Sequence, residues 1–287
     1  MDVRHKPARR RWHCKDCGRE FTAKVGTVFE DSPISLTKWL PAVWMLSGAK
    51  NGISSCELAR AVGVTQKTAW FMLHRIRVAM GLRDETPLSG DVEADETYVG
   101  GKTRRGSRNT GFFRRGGAGN PRQNKATVFG MIERGGRVRA LLVPDNKAAT
   151  LMPALRQNIA PGSVVYTDAL HSYSDVRRDY THQVINHMVA YVEGRVHTNT
   201  IENFWSCLKR TLGGTYIAAR EFHLDAYLDE QVFRFNARKD EDGDGGRFLD
   251  VLKGVDGQRL TYKALTKSHK IWRLKPGRAK NSPWYRA

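Results

Sequence analysis

The sequence predicts an α/β protein in which a mixed β-sheet, covered by helices on both faces, follows two smaller modules. Strand and helix patterns alternate from about residue 88 to residue 240. A cysteine pair among β-forming residues and then three helical periodicities precede that region. The 287 residues, 40% of them hydrophobic, can fill a real core. We predict four stretches: 1–31, 32–84, 85–240 and 241–287.

The first stretch is a small basic module with short strands around Cys14 and Cys17. Their CxxC spacing is that of a zinc knuckle, and a structural zinc normally needs four ligands from two knuckles. A second knuckle is missing, the nearby histidines lack the usual spacing, and Cys56 is expected to be packed in a helix. Either an upstream CxxC has been lost through a late start or a truncation, or this is a degenerate ribbon that folds without Zn²⁺.

The second stretch has helical periodicity over residues 34–46, 54–62 and 66–80. Gly63 and Val64 separate the last two helices, and Thr65 is placed to cap the third. This organisation is typical of a helix-turn-helix, although an ordinary helical hairpin would look similar.

The third helix of this module offers a polar start that could reach base edges or phosphates in a major groove. Its apolar positions are expected to pack inward, and His74, Arg75 and Arg77 are expected to charge its exposed face. The inward set is Ala69, Met72, Leu73 and Ile76. The predicted DNA contacts of the helix are Gln66, Lys67, Thr68 and Arg75.

The third stretch gives strands and helices in the order β-β-β-α-β-α-β-α, with Gly135-Gly136 as the turn of a hairpin. Such an order implies a mixed sheet whose functional residues lie at strand ends and helix starts. The predicted strands are 91–99, 126–134, 137–144, 163–168 and 182–187. The predicted helices include 147–159, 200–212 and 227–239.

Two segments stand outside that order. Residues 102–125 contain eight Lys or Arg and no acid, which favours a mobile loop facing DNA through Arg104, Arg105, Arg114 and Arg115. After Asp240, an acidic, Gly-rich sequence is predicted to be a linker to a tail whose residues 266–287 are again basic without acids.

The net charge of +19 and the pI near 10.1 indicate contact with a polyanion. Nucleic acid is the expected partner, because the sequence has neither an apolar run near eighteen residues nor a signal-peptide pattern. Its four cysteines fit a reducing cytoplasm better than a disulfide framework. We therefore expect a cytoplasmic, DNA-associated protein without membrane contact.

Four acids crowd the first strand of the predicted sheet. Alternation places Asp91, Glu93 and Asp95 on one face and Glu96 on the other. They could be solvated surface acids, but the apolar residues between them favour a position inside the sheet. Clustered carboxylates repel one another there unless a cation lies among them.

Further acids occur at two later element ends. Asp168 ends an apolar strand, although it could instead be the N-cap of a following helix. Glu202 lies near a helix start, where the interaction of an acid with the helix N-terminus could alone explain its presence. Lys209 comes seven residues later on the same helix face, while Asn199 and His197 are rival third ligands. Three carboxylates could hold two Mg²⁺ ions about 4 Å apart for an in-line displacement at phosphorus.

The motifs around these residues, taken in order, are specific. The CxxC knuckle, the helix-turn-helix pattern, VEADETYVGGK, VYTDALHSY, HTNTIENFWSCLKR and YLDEQVFRFNAR resemble insertion-sequence transposases of the DDE superfamily over about residues 12–240. The subgroup that the chain resembles has an N-terminal zinc ribbon and an RNase H-like catalytic domain. The resemblance implies Mg²⁺ or Mn²⁺ chemistry at Asp95 and Asp168, with a third ligand in HTNTIE.

For that third ligand the sequence favours Glu202, with Asn199 as the competitor. Glu202 lies 33 intervening residues after Asp168 and seven before Lys209, which suits the superfamily, and Lys209 is expected to hold phosphate or end DNA. Some members of the subgroup have Asn or His at this position, so Asn199 remains an alternative third ligand.

The hypothesis is a prokaryotic, nucleoid-associated transposase that binds terminal inverted repeats and performs strand cleavage and strand transfer. Two ends must meet, so a homodimer or higher assembly on DNA is expected. The alternative is a DNA-binding regulator derived from an inactive transposase. A third hypothesis is an RNase H-like nuclease that cleaves without transfer.

Overall fold

The computed structural model describes residues 2–9, 11–81, 86–100, 125–168, 171–185, 197–217, 219 and 221–267. The chain forms two compact units. One contains residues 1–49, 53–82 and 240–287, and the other contains residues 50–52 and 83–239. In the part of the chain that is described, no helix is long and apolar enough to cross a membrane.

The first unit begins with a small antiparallel sheet in the order β1-β2-β3. Its strands are β1 Val3–Lys6, β2 Arg11–Cys14 and β3 Glu20–Phe21. Between β2 and β3 the chain turns tightly, since the Gly18 N–H donates to the Cys14 carbonyl at 2.9 Å. Gly18 has φ +69°, a left-handed conformation that costs glycine little. The predicted short strands around the cysteine pair are therefore confirmed.

Three helices follow in the same unit: α1 Leu36–Gly48, α2 Ser55–Val62 and α3 Gln66–Met80. Their bounds agree with the predicted ones to within two residues. Ser54 forms a capping box with Glu57, and Gly63 ends α2 in the left-handed conformation. The Thr65 hydroxyl accepts from the Thr68 N–H at 3.2 Å, so Thr65 caps α3 as predicted.

Ser54→Ala is expected to lower the free energy of unfolding by about 1 kcal/mol, because the orphan N–H of Glu57 loses its acceptor. Urea unfolding followed by circular dichroism measures this change. Ser35 is the matched control: it is the N-cap of α1 but makes no side-chain cap bond. An equal loss in Ser35→Ala would show that the capping box contributes nothing specific.

The prediction of a linker after Asp240 was wrong. Helix α7 Gly243–Lys253 starts inside the acidic, Gly-rich sequence, and α8 Tyr262–Lys267 comes after it. Phe248 of α7 meets Trp44 of α1 edge to face, with ring centroids 5.6 Å apart. Packing by the apolar residues of the second half of α7 therefore overrides the poor helix propensity of its first turn.

The second unit is built on a five-stranded sheet with the order β6-β5-β4-β7-β8. Its strands are β4 Asp91–Val99, β5 Ala126–Glu133, β6 Val138–Val143, β7 Val164–Asp168 and β8 Thr181–Ile185. The first three strands are antiparallel, whereas β7 runs parallel to β4 and β8 runs parallel to β7. The predicted mixed sheet is confirmed, and β4 is its central strand.

Helices cover both faces of this sheet. On one face, α4 Ala148–Asn158 and a 3₁₀ helix, His171–Arg178, pack on apolar residues such as Val92, Ala94 and Phe129. On the other face lie α5 Asn199–Thr211 and α6 Leu224–Asn236. The alternation of β4 thus separates two cores, as its sequence predicts. The helix predicted between β7 and β8 is the 3₁₀ segment.

Candidate active site

The parallel pairing of β4 with β7 brings two of the predicted acids to the same edge of the sheet. The paired residues of the two strands end at Glu93 and Tyr166, and Asp95 and Asp168 each follow two residues later. Neighbouring strands lie about 4.8 Å apart. Asp95 and Asp168 therefore lie at the carboxyl edge of the parallel pair, two residues past its last paired residues.

Asp95 is mostly buried on the α5 face of the sheet. Burial raises its pKa to about 6, and the nearby charges of Asp168 and Glu202 add to the rise. The indole Nε1–H of Trp205 donates to Asp95 Oδ2 at 2.9 Å. This bond stabilises the carboxylate and therefore opposes the rise in pKa. Two acids far from Asp95 in the sequence thus contribute to the raised pKa of Asp95.

Glu96 points to the opposite face, as alternation predicts. Burial raises its pKa to about 7, with repulsion from Asp168 and Asp95 as further causes. The hydroxyl of Tyr173 donates to Glu96, and Tyr173 itself is buried in the core of that face. Tyr173 is therefore a structural residue that holds Glu96; the side chain of His171 lies outside the described residues.

Helix α5 presents the other predicted residues. Its stripe of Ile201, Phe204, Trp205 and Leu208 is buried, which confirms the predicted apolar face. Glu202, Asn199 and Lys209 are all exposed. The Thr198 hydroxyl donates to Glu202 Oε1 at 3.1 Å and orients that carboxylate next to the helix start.

Glu93 is the residue whose role the sequence did not reveal. It is fully buried, and its carboxylate lies against the first turn of α5 and the guanidinium of Arg134. His197, which the sequence offers as a rival third metal ligand, lies there too, with its Nδ1 3.3 Å from Glu93 Oε1. The signal available in the sequence was an acid flanked by Val92 and Ala94 inside an apolar strand.

Among the side chains that the structure describes, no group of three or more His, Cys, Asp or Glu is close enough to hold a metal ion. In the N-terminal sheet, hydrogen bonding from the backbone of Cys17 lowers the pKa of the Cys14 thiol. That bond favours the thiolate, the form in which cysteine binds zinc.

The start of α3 carries the predicted DNA-contacting side chains. Gln66 and Lys67 are exposed and Thr68 is half-buried. Gln66 Nε2 donates to the Ser55 hydroxyl at 2.7 Å, and Lys67 Nζ lies 5.0 Å from the centroid of the Tyr262 ring. The predicted inward set of this helix, Ala69, Met72, Leu73 and Ile76, is buried.

The expectation that His74, Arg75 and Arg77 charge an exposed face was wrong, because all three are buried. Arg75 Nε donates to the Leu260 carbonyl at 3.0 Å, and its guanidinium lies over the Phe71 ring. The segment after α7 thus covers this side of α3, and burial lowers the pKa of Arg75. The insertion residues Arg104, Arg105, Arg114 and Arg115 lie outside the described residues.

Comparison with known proteins gives one match at the level of a family. Residues 87–236 match the model of the ISXO2-like transposase domain, DDE_Tnp_IS1595. A protein described as an uncharacterized protein in transposable element ISH50, from Halobacterium salinarum, is 34% identical over 215 residues, covering 70% of each chain. An uncharacterized transposase-like protein from Haemophilus influenzae is 38% identical over 102 residues, covering 35% of this chain and 81% of the relative.

Among solved structures, the Mos1 strand transfer complex gives a TM-score of 0.27 at 14% identity, covering 78% of this chain and 76% of that one. A pre-cleavage Mos1 transpososome gives a TM-score of 0.19 at 11% identity, covering 74% and 76%. TM-scores this low do not establish a shared fold.

Proposed function

Because the chain belongs to the ISXO2-like (IS1595) family of DDE transposases, we propose that it cleaves DNA at the ends of its own element and transfers the strands to target DNA. The observation that carries the proposal is the position of Asp95 and Asp168 just past the paired residues of two adjacent parallel strands inside the matched region, where the charge of Asp168 raises the pKa of Asp95. A protein that only binds DNA has no use for buried acids that repel one another.

The donor set suits a hard divalent cation. Asp95 and Asp168 offer carboxylate oxygens in a partly buried setting, and their mutual repulsion is the kind that a cation relieves. In our proposal Asp95 and Asp168 hold Mg²⁺ or Mn²⁺, and Glu202, which is not grouped with them as a three-residue site in this structure, is the third ligand. The bound metal would supply Lewis-acid activation of the attacking and leaving oxygens at phosphorus.

The protein's own side chains then orient the reacting groups. Trp205 orients the carboxylate of Asp95 through one of its oxygens, and Thr198 does the same for Glu202. Lys209 lies about two helical turns after Glu202 and is exposed, so its ammonium is available for a DNA phosphate.

DNA binding is proposed to use the first unit. Gln66, Lys67 and Thr68 at the start of α3 would enter the major groove as in a helix-turn-helix, and the net charge of +19 would supply phosphate contacts. Cys14 and Cys17 would be half of a Zn²⁺ site. Pairing of two element ends calls for a homodimer or a higher assembly, and the strand order of the mixed sheet supports an RNase H-like catalytic domain.

The proposal is tested with DNA that carries both ends of the encoding element, at fixed salt because phosphate contacts make binding salt-sensitive. We expect strand cleavage and joining to a target plasmid with Mg²⁺ or Mn²⁺, and neither with EDTA. Binding without cleavage would favour the regulator, and cleavage without joining would favour the nuclease.

Glu202→Gln is expected to reduce the cleavage rate at saturating DNA by about a thousand-fold or more, because a metal-binding charge is lost while size is kept. Asn199→Ala is the matched variant one turn earlier on α5, and we expect a change of less than about tenfold. Cleavage of end DNA by both variants measures the difference. The reverse ranking would assign the third position to Asn199.

A further inference from the structure

We infer that Glu93 is a positioning residue that sets the start of α5, and with it Glu202, relative to Asp95. The inference rests on the proposed function for its catalytic consequence. Its structural part concerns the bonds between β4 and α5 and stands on the contacts of these two elements.

Glu93 caps α5 from another element. The N-cap residue Thr198 makes no side-chain cap bond, so the first turn lacks the usual local acceptor. Glu93 Oε2 instead accepts from the N–H groups of Thr200 at 2.9 Å and Ile201 at 3.0 Å. These are the N2 and N3 donors that a capping side chain normally satisfies, and the helix dipole favours an anion there.

The other carboxylate oxygen of Glu93 fixes the approach to the helix. Oε1 accepts from the Thr200 hydroxyl at 3.0 Å and from Arg134 Nε at 2.9 Å. Arg134 in turn donates through Nη2 to the His197 carbonyl at 2.6 Å and lies 3.8 Å from the centroid of the Tyr166 ring. The chain entering α5 is therefore tied to β4 and β7, the strands that carry Asp95 and Asp168.

On α5, Glu202 lies between two residues that form hydrogen bonds to β4. Ile201, one residue before it, bonds to Glu93, and Trp205, three residues after it, bonds to Asp95. Glu93 and Asp95 are two residues apart on one face of β4, about 7 Å along the strand. Two points of attachment on a rigid strand fix both the height and the rotation of the intervening turn of α5.

The ion pair of the fully buried Glu93 with the partly buried Arg134 is a poor source of stability compared with well-packed apolar residues. Its directed bonds, however, define a single register between strand and helix, as buried polar groups do in other proteins. The geometry therefore assigns Glu93 to the orientation of the third ligand. Groups of this kind change metal affinity or activity by about 10- to 100-fold when they are altered.

Two variants test the inference, with a matched control. Glu93→Gln keeps an oxygen for the two N–H groups but loses the charge facing Arg134, and Glu93→Ala removes every bond. Glu133→Gln is the control, because Glu133 is a carboxylate of the same sheet that is paired with Arg137 and accepts from Ser89 N–H, without an α5 contact among its described bonds. All proteins are used as the full chain.

The first readout is independent of catalysis. In Glu93→Ala, hydrogen exchange of the Thr200 and Ile201 amides is expected to be at least about tenfold faster, with slow exchange preserved in the β5 core. Unchanged exchange at these two amides would overturn the inference whether or not the wild type cleaves DNA. If exchange changes as expected and wild type fails to cleave, the proposed function fails instead.

The second readout separates positioning from folding. In Glu93→Gln we expect the Mn²⁺ concentration for half-maximal cleavage to rise about tenfold and the rate at saturating DNA to fall by about 10- to 100-fold. Half-saturation by end DNA should stay within about twofold, and Glu133→Gln should match the wild type in all three quantities. Wild-type metal dependence and rate in Glu93→Gln would overturn the assignment.

Discussion

Asp168→Asn and Asp95→Asn are each expected to reduce metal-dependent cleavage of end DNA by on the order of 10⁴-fold. Each change removes one of two carboxylates that the parallel pairing of β4 and β7 brings to the same edge of the sheet. An amide oxygen keeps the size of the side chain but not the charge that a divalent cation requires. Cleavage under single-turnover conditions, with protein in excess over DNA, measures the chemical step directly.

The control for these two variants is Asp179→Asn. Asp179 is an aspartate of the same unit that pairs with Arg156 near the surface, at 2.8 Å. We expect its cleavage rate to remain within about twofold of wild type, since exposed ion pairs contribute little. Cleavage by Asp168→Asn at the wild-type rate would remove the catalytic assignment of both strands.

Stability distinguishes lost chemistry from lost folding in Asp95→Asn. The pKa of Asp95 rises from 3.8 to about 6 on folding, so this group favours the folded state most at low pH, and that contribution is lost as the pH rises through about 6. This rise in pKa corresponds to about 3 kcal/mol as an upper bound. Without metal at pH 8, Asp95→Asn should therefore be at least as stable as wild type, measured by urea unfolding.

Much of the second unit can be predicted because its strands and helices have clear and different periods. Alternation in β4 separates Glu93 and Asp95 from Glu96, and that prediction holds in the structure. Placing Asp168 beside Asp95 requires only that a buried strand ends in an acid and pairs in parallel with β4. Local pattern thus reaches Asp168, the last residue of β7, and Asp95, in the middle of β4.

The rest depends on contacts between distant segments, which local pattern does not contain. In the sequence, Arg75 has the pattern of a solvated helix arginine. In the structure, the chain near Leu260, 185 residues later, covers it. The capping of α5 by Glu93 joins residues 107 and 108 positions apart. The DEDGDGG sequence has linker composition, yet it starts α7 because Phe248 and Val251 beyond it find apolar partners.

Gly130 marks another such contact, and its replacement by alanine is expected to damage stability and catalysis together. It pairs with Asp95 in the β4–β5 ladder, directly beneath the indole of Trp205. A Cβ at this position would lie 2.5 Å from Trp205 Cη2 and 3.0 Å from Ile201 Cδ1. Glycine within a strand commonly permits such a close approach.

In Gly130→Ala the indole must move away from β5, which strains α5 and breaks the bond from Trp205 to Asp95. Overpacking of this kind costs about 1–3 kcal/mol. A displacement near 1 Å at Asp95 and Glu202 is expected to reduce cleavage by up to about 100-fold. Urea unfolding and single-turnover cleavage measure the two effects.

Gly213→Ala is the control, since a Cβ at Gly213 would meet no atom within 4 Å. It should keep wild-type stability to within about 0.5 kcal/mol. The double variant Gly130→Ala/Trp205→Phe separates packing from orientation: a smaller ring relieves the clash, but the donor to Asp95 is absent. We expect it to recover stability without recovering cleavage. Full recovery of both would show that the Trp205 bond to Asp95 has no part in catalysis.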